Sequence, residues 1–189
     1  MLELLLDRLA GLGLLAAGGR QRTDATCVLA AIRNLNRLEV VAETMRAALE
    51  AVAVCAPGWL EALAPAQWYE RYAQRAGDYR LPRPHAARDA YAMTIGRDGY
   101  LLLEALQRAD APPWLRQVPA VEVLRRVRVQ RYYRDEQTMR WRGKGELPPS
   151  SALLVSPYDV DARYGIKRAA GWEGCKAHSP RPATPADRT

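Results

Sequence analysis

The sequence predicts a mainly α-helical protein with a small β component. Three observations predict it. Between residues 34 and 135 apolar side chains recur at three- and four-residue steps. β-favouring residues gather only near residues 20–29 and 164–178. Breaks at Pro57-Gly58, Pro82, Pro84 and Pro112-Pro113 divide the helical part into separate pieces, because proline cannot continue a helix.

Each element follows from local chemistry. Residues 2–17 are Leu- and Ala-rich and read as a helix stopped by Gly18-Gly19. Thr23, Thr26, Cys27, Val28 and Leu29 favour a short buried strand, with Asp24 inside it. From Asn34 the period changes: Leu35, Leu38, Val41, Met45, Leu49 and Val52 mark one face of an amphipathic helix. A helical turn at 59–63 and a helix at 67–76, carrying Trp68, Tyr69 and Tyr72, follow it. Residues 86–109 form the next helix, although Gly96 and Gly99 each weaken it by about 1 kcal/mol relative to alanine. The last helix runs over 118–135. Residues 143–151 are turn-like, and 152–155 are a short apolar run. Two strands at 164–167 and 172–178 flank a hairpin loop at 168–171. Residues 179–189 hold three prolines and no aliphatic side chain larger than alanine, and are expected to be disordered.

Charge is unevenly placed. Residues 1–115 carry 13 basic and 13 acidic side chains, whereas residues 116–189 carry 15 and 8, so the whole net charge of +7 lies in the second stretch. That asymmetry suggests an anionic partner, nucleic acid ahead of membrane, although an arginine-rich composition alone would produce it too. Cys27, Cys55 and Cys175 are odd in number and widely spaced, which argues against a disulfide framework or a zinc site and for a reduced, cytoplasmic setting. The N-terminal apolar run lacks a basic start and is interrupted by Asp7 and Arg8, so it does not read as a signal peptide. No stretch approaches the roughly 18 apolar residues of a membrane span. No membrane partner is expected.

Three places could carry chemistry. An acid inside an apolar strand is costly to bury unless a cation compensates it, so Asp24 is a candidate metal ligand. By itself it reads better as a turn residue or a helix cap. In SPYDVDARYGIKR, residues 156–168, Asp159 and Asp161 suit a turn and pairing with Arg163. Arg163, Lys167, Arg168 and Lys176 can contact phosphates, or form an ordinary solvated face. On the last helix Arg125, Arg128, Arg131 and Arg134 fall at three-residue steps beside Tyr132 and Tyr133, a row that could meet a phosphate backbone while the rings stack on bases. The competing reading is a helix of solvated arginines. His85 and His178 are too isolated to suggest a catalytic arrangement.

Three segments, taken in order, resemble one family. RQRTDATCVLAAIRNLNRLE at 20–39 looks like the first catalytic-strand motif of bacterial insertion-sequence transposases of the DDE type. LRQVPAVEVLRRV at 115–127, running on to QRYYRDE at 130–136, resembles the end of their helical insertion. LPP at 147–149, SPYDVDARYGIKR and GCKAH at 174–178 look like the return to the sheet. Cys27 stands where these relatives tend to have His, Cys175 where Tyr is usual, and Ala177 where a β-branched residue is usual.

The resemblance implies an incomplete ribonuclease H-like sheet, first strand plus hairpin, interrupted by a large helical insertion. It divides the chain into the last helix of an N-terminal helical domain (1–18), the first catalytic strand (19–30), the insertion (31–136), a connector with returning hairpin (137–178) and a disordered tail (179–189). Asp24 becomes the first acid of a triad that binds Mg²⁺ or Mn²⁺ in the intact family, and Arg125, Arg128, Arg131, Arg163, Lys167, Arg168 and Lys176 become the candidate DNA contacts. The second aspartate and the glutamate would lie beyond His178. The expectation is therefore a truncated transposase, inactive by itself and holding no metal tightly, whose partners are DNA at the element ends and a further copy or a full-length transposase. The alternatives are a non-catalytic DNA-binding or regulatory fragment and a helical protein-interaction module.

Overall fold

The structure, a computed structural model, describes residues 21–29, 35–77, 80–134, 138–167 and 170–182. The expected helix at 2–17, Arg168 and the end of the tail lie outside the described residues. The chain divides into two compact units, residues 1–28 with 175–189 and residues 29–174.

In the larger unit five α-helices are described: α1 (Arg37–Cys55), α2 (Pro57–Leu63), α3 (Ala66–Tyr72), α4 (His85–Ala105) and α5 (Pro119–Arg131). The protein is thus mainly helical with a small β component. Helix α1 begins where its cap dictates. The Asn36 side chain accepts from the backbone N–H groups of Leu38 and Glu39 at 3.0 and 3.1 Å, and Glu39 accepts from Asn36 N–H at 2.7 Å. Such a reciprocal box satisfies donors that the first turn leaves free. The helix stops at Cys55 because Pro57 starts the next one, where a missing N–H costs nothing. Leu38, Val41, Met45 and Val52 are buried, the stripe that the spacing predicted. They pack with Trp68 and Tyr72 of α3, Ile95 and Leu102 of α4, and Val121, Leu124 and Val127 of α5 in one core.

The last helix is shorter than its apolar pattern predicts. It ends at Arg131, and Tyr132 turns extended at φ −123° and ψ 148°. Strand β2 (Tyr132–Arg134) then pairs antiparallel with β3 (Met139–Trp141), opposing Tyr132 to Trp141 and Tyr133 to Arg140. Tertiary contacts decide this. Tyr132 is buried, donates its hydroxyl hydrogen to the Ala92 carbonyl at 2.7 Å and meets Trp141 edge-on at 4.9 Å between ring centroids. Gly96 of α4 is what lets the hairpin approach: a Cβ there would lie 2.7 Å from a Tyr132 ring carbon and 3.0 Å from the Met139 methyl. Helix propensity is given up at that point for close packing.

Strand β4 (Arg163–Lys167) pairs antiparallel with β5 (Ala170–Pro182), in register from Arg163 opposite Gly174 to Lys167 opposite Ala170. β5 is longer than the expected strand at 172–178 and extends through Pro182, so the first residues of the expected disordered tail are strand. Strand β1 (Gln21–Leu29), which carries Asp24, lies on the other side of β5, giving the order β1-β5-β4.

Candidate nucleic-acid interface

The arginine row of α5 does not act as one surface. Arg128 and Arg131 are 1% and 4% exposed. They sit on the inward face with Val121, Leu124 and Val127, so neither offers a guanidinium to a phosphate backbone here. Arg128 donates to the Ile95 carbonyl at 2.7 Å and lies 4.9 Å from the Tyr132 ring centre. Its Nε and Nη1 have no hydrogen-bond partner. Gly99 of α4 makes the space: a Cβ there would stand 2.0 Å from the guanidinium. Arg131 donates to the Leu154 carbonyl at 3.0 Å, and Gln130 brackets the same loop by donating to the Ala152 carbonyl at 3.0 Å and accepting from Leu154 N–H at 2.9 Å. Burial, with Arg37 as a second positive neighbour, pulls the Arg131 guanidinium down to about 10.

Other members of the row do face outward. Arg125 is half-buried and pairs with Glu122 one turn back. Arg134 is exposed, bonds Glu104 of α4 at 2.5 Å and stacks 4.6 Å from the Tyr100 ring centre. Arg126 is exposed and, among the described residues, enters no ion pair.

The outward face of the β2–β3 hairpin gathers the rest. Tyr133 is 39% exposed, with the guanidinium groups of Arg140 and Arg142 5.0 and 5.8 Å from its ring centre. Arg142 is anchored by Nε donating to the Tyr132 carbonyl at 3.1 Å, and its charge also acts on the Glu146 carboxylate. Arg140 holds Glu146 through two bonds of 2.7 Å, and Gly143 N–H donates to the same carboxylate at 2.6 Å. These contacts, Arg140 first, hold the Glu146 carboxyl down at about 2. Lys144, also exposed and in no ion pair among the described residues, sits in the turn that Glu146 closes. An exposed aromatic ring with two guanidinium groups beside it has the chemistry to meet phosphates and to offer a base a stacking platform. The alternation of apolar and basic residues in Met139-Arg-Trp-Arg142 was the sequence signal for this face.

The other expected contacts fall differently. Arg163 is half-buried and donates to the carbonyls of Ser151 at 2.8 Å, Val160 at 2.5 Å and Ala162 at 2.8 Å, which makes it a loop fastener. Asp159 initiates a turn, as expected, by accepting from the N–H groups of Asp161 and Ala162 at 3.1 and 2.9 Å. Lys167 and Lys176 lie on β4 and β5, and Asp24 on β1, but their side chains are outside the described residues, as is Arg168. Among the described residues no three His, Cys, Asp or Glu side chains come together as a metal site, and no helix is long and apolar enough to cross a membrane.

Comparison of the chain with protein-family models, with curated proteins and with solved structures returns no match.

Proposed function

We propose that this chain comes from the DNA-handling machinery of an insertion-sequence transposase of the DDE type, and that these 189 residues bind DNA without cutting it. The observation that carries the reading is connectivity. Strand β1, with Asp24, shares one three-stranded sheet with β4 and β5, although residues 30–162 and their helical block lie between. A first strand and a returning hairpin interrupted by helices is the arrangement that the resemblance implies for a ribonuclease H-like sheet. The hairpin face around Tyr133, Arg140 and Arg142 supplies the kind of groups that DNA binding needs, and the charge excess of residues 116–189 agrees with it.

Cleavage is another matter. In-line phosphoryl transfer through two divalent ions needs several carboxylates to hold them. The resemblance maps one, Asp24, onto these residues.

The test is fluorescence anisotropy of the chain with labelled duplex DNA over a salt series. Phosphate contacts predict that log affinity falls with log salt at a slope of about −0.9 for each phosphate neutralised. A parallel incubation with supercoiled plasmid in Mg²⁺ or Mn²⁺ is expected to leave it uncut. Affinity that ignores salt would remove the proposed basis for binding, and nicking abolished by Asp24→Asn would show an active nuclease. No DNA binding even at low salt would favour the helical interaction module.

A further inference from the structure

We infer that the larger unit carries a pocket for a phosphate-class oxyanion between the end of α3 and α4, built on Arg75 and Arg80. A cavity of about 130 Å³ lies among Ala42 and Arg46 of α1, Arg71 of α3, Arg75 and Arg80 beyond it, and Tyr91 of α4. That is several times the space one water requires, and enough for a tetrahedral oxyanion.

The charges lining it fall into two groups. Arg46 and Arg71 are already committed. Arg46 pairs with Glu43 at 3.2 Å and Glu50 at 2.9 Å, and Arg71 pairs with Asp98, which also accepts the Tyr72 hydroxyl at 2.6 Å. Glu43 and Asp98 are 2% and 8% exposed, so these pairs form a braced wall. Arg75 and Arg80 are exposed, line the same cavity and, among the described residues, enter no ion pair. Glu70 is the one carboxylate among the described lining residues, against the two guanidinium groups of Arg75 and Arg80. The Gln74 amide and the Tyr91 hydroxyl add neutral donors. Burial pushes the Tyr91 hydroxyl up, which keeps its proton in place to donate. Arginine forks match the spacing of phosphate oxygens, and their bonds to an oxyanion are charge-assisted.

The shared chemistry is a phosphoryl oxyanion, either in a nucleic-acid backbone or on a free small molecule. None of these residues belongs to the hairpin face, so the pocket stands independently of the DNA reading. The experiment titrates inorganic phosphate into the full chain by calorimetry at constant ionic strength, and repeats it with Arg75→Gln/Arg80→Gln. Saturable one-to-one binding is expected, weakened about tenfold or more in the double variant, the equivalent of about 1.4 kcal/mol. Because both residues are exposed, the variant's circular dichroism should match the parent's. Glu70→Gln, which removes the opposing acid, should bind phosphate more tightly. A short DNA duplex then separates the sources. Weaker duplex binding by the double variant assigns the site to backbone phosphate, and unchanged duplex binding with lost phosphate binding assigns it to a free ligand. Absence of saturable phosphate binding, or equal affinity in parent and double variant, overturns the pocket. The phosphate titration contains no DNA, so its failure and a failure of DNA binding are separate results.

Discussion

Arg128 occupies a place in the core where a hydrophobic side chain would cost less. Its guanidinium is fully buried and bonds the Ile95 carbonyl and the weakly accepting Met45 sulfur, while among the described residues its Nε and Nη1 have no hydrogen-bond partner. A buried charge without a counter-charge costs several kcal/mol, and removing buried ionic groups in favour of well-packed apolar ones is often neutral or stabilising by about 1–4 kcal/mol. Arg128→Met is accordingly expected to hold or raise the urea midpoint, whereas Arg128→Ala should lower it by leaving a void beside Tyr132 and Gly99. Equal losses in the two variants would show that the guanidinium itself stabilises the fold. The same site explains Gly99. An alanine there should add about 1 kcal/mol of helix propensity, but its Cβ would collide with the guanidinium. Gly99→Ala is therefore expected to destabilise the parent and to recover its propensity gain in the Arg128→Ala background. A double-mutant cycle measures the coupling, and additive effects would sink the steric account. None of this was legible from the three-residue spacing of the arginines. Charge type suggests solvent, while the steps Val121, Leu124, Arg128 and Arg131 follow the buried stripe; for Arg128 the outcome depends on α4 opposite, where Gly99 clears the space.

At the scale of elements, the helices were legible and the β2–β3 hairpin was not. Helices α1 and α4 span four to six turns of apolar periodicity, and α1 has a capping box at its start, so local residues determine them. The hairpin has three residues per strand, and its first strand continues the spacing of α5 without a Gly or Pro break. Its existence depends on contacts with Ala92 and Gly96, far away in sequence. What closes the segment after β3 is the Arg140–Glu146 clip, which makes a pH prediction possible. The Glu146 carboxyl sits at about 2, below its ordinary value of 4.5. A carboxylate lowered in the folded state contributes its clip fully above about pH 4.5 and loses it as pH falls toward 2. Carboxyl titration by NMR should place the Glu146 midpoint near 2, and Arg140→Gln should return it toward 4.5. An unshifted midpoint in the parent would mean that the clip does not persist in solution.

For the whole molecule, the decisive property is that the larger unit has a buried core of its own. Among the described residues the buried cluster runs from Leu35 to Leu154, within residues 29–174. Strand β1 with Asp24 and the later part of β5 belong to the other unit. The sequence alone suggested a sheet interrupted by helices; it did not show that the interrupting block has a buried core of its own, because burial is a property of packed faces and not of any one helix. A fragment of residues 29–174 should therefore unfold in one cooperative transition, as single cores of this size do. Its midpoint is expected within about 5 °C of the helical signal of the full chain, since 1 kcal/mol moves a domain of 150–250 residues by about 2–4 °C. It should also keep the salt-dependent DNA affinity, because Tyr133, Arg140 and Arg142 remain while Asp24 is gone. Circular dichroism melts and anisotropy on the same preparation measure both. A fragment that melts without a transition would show that the smaller unit completes the fold. A well-folded fragment that no longer binds would move the DNA contacts from the hairpin to residues 1–28 or 175–189, where Lys176 and Arg181 are the basic groups that β5 carries.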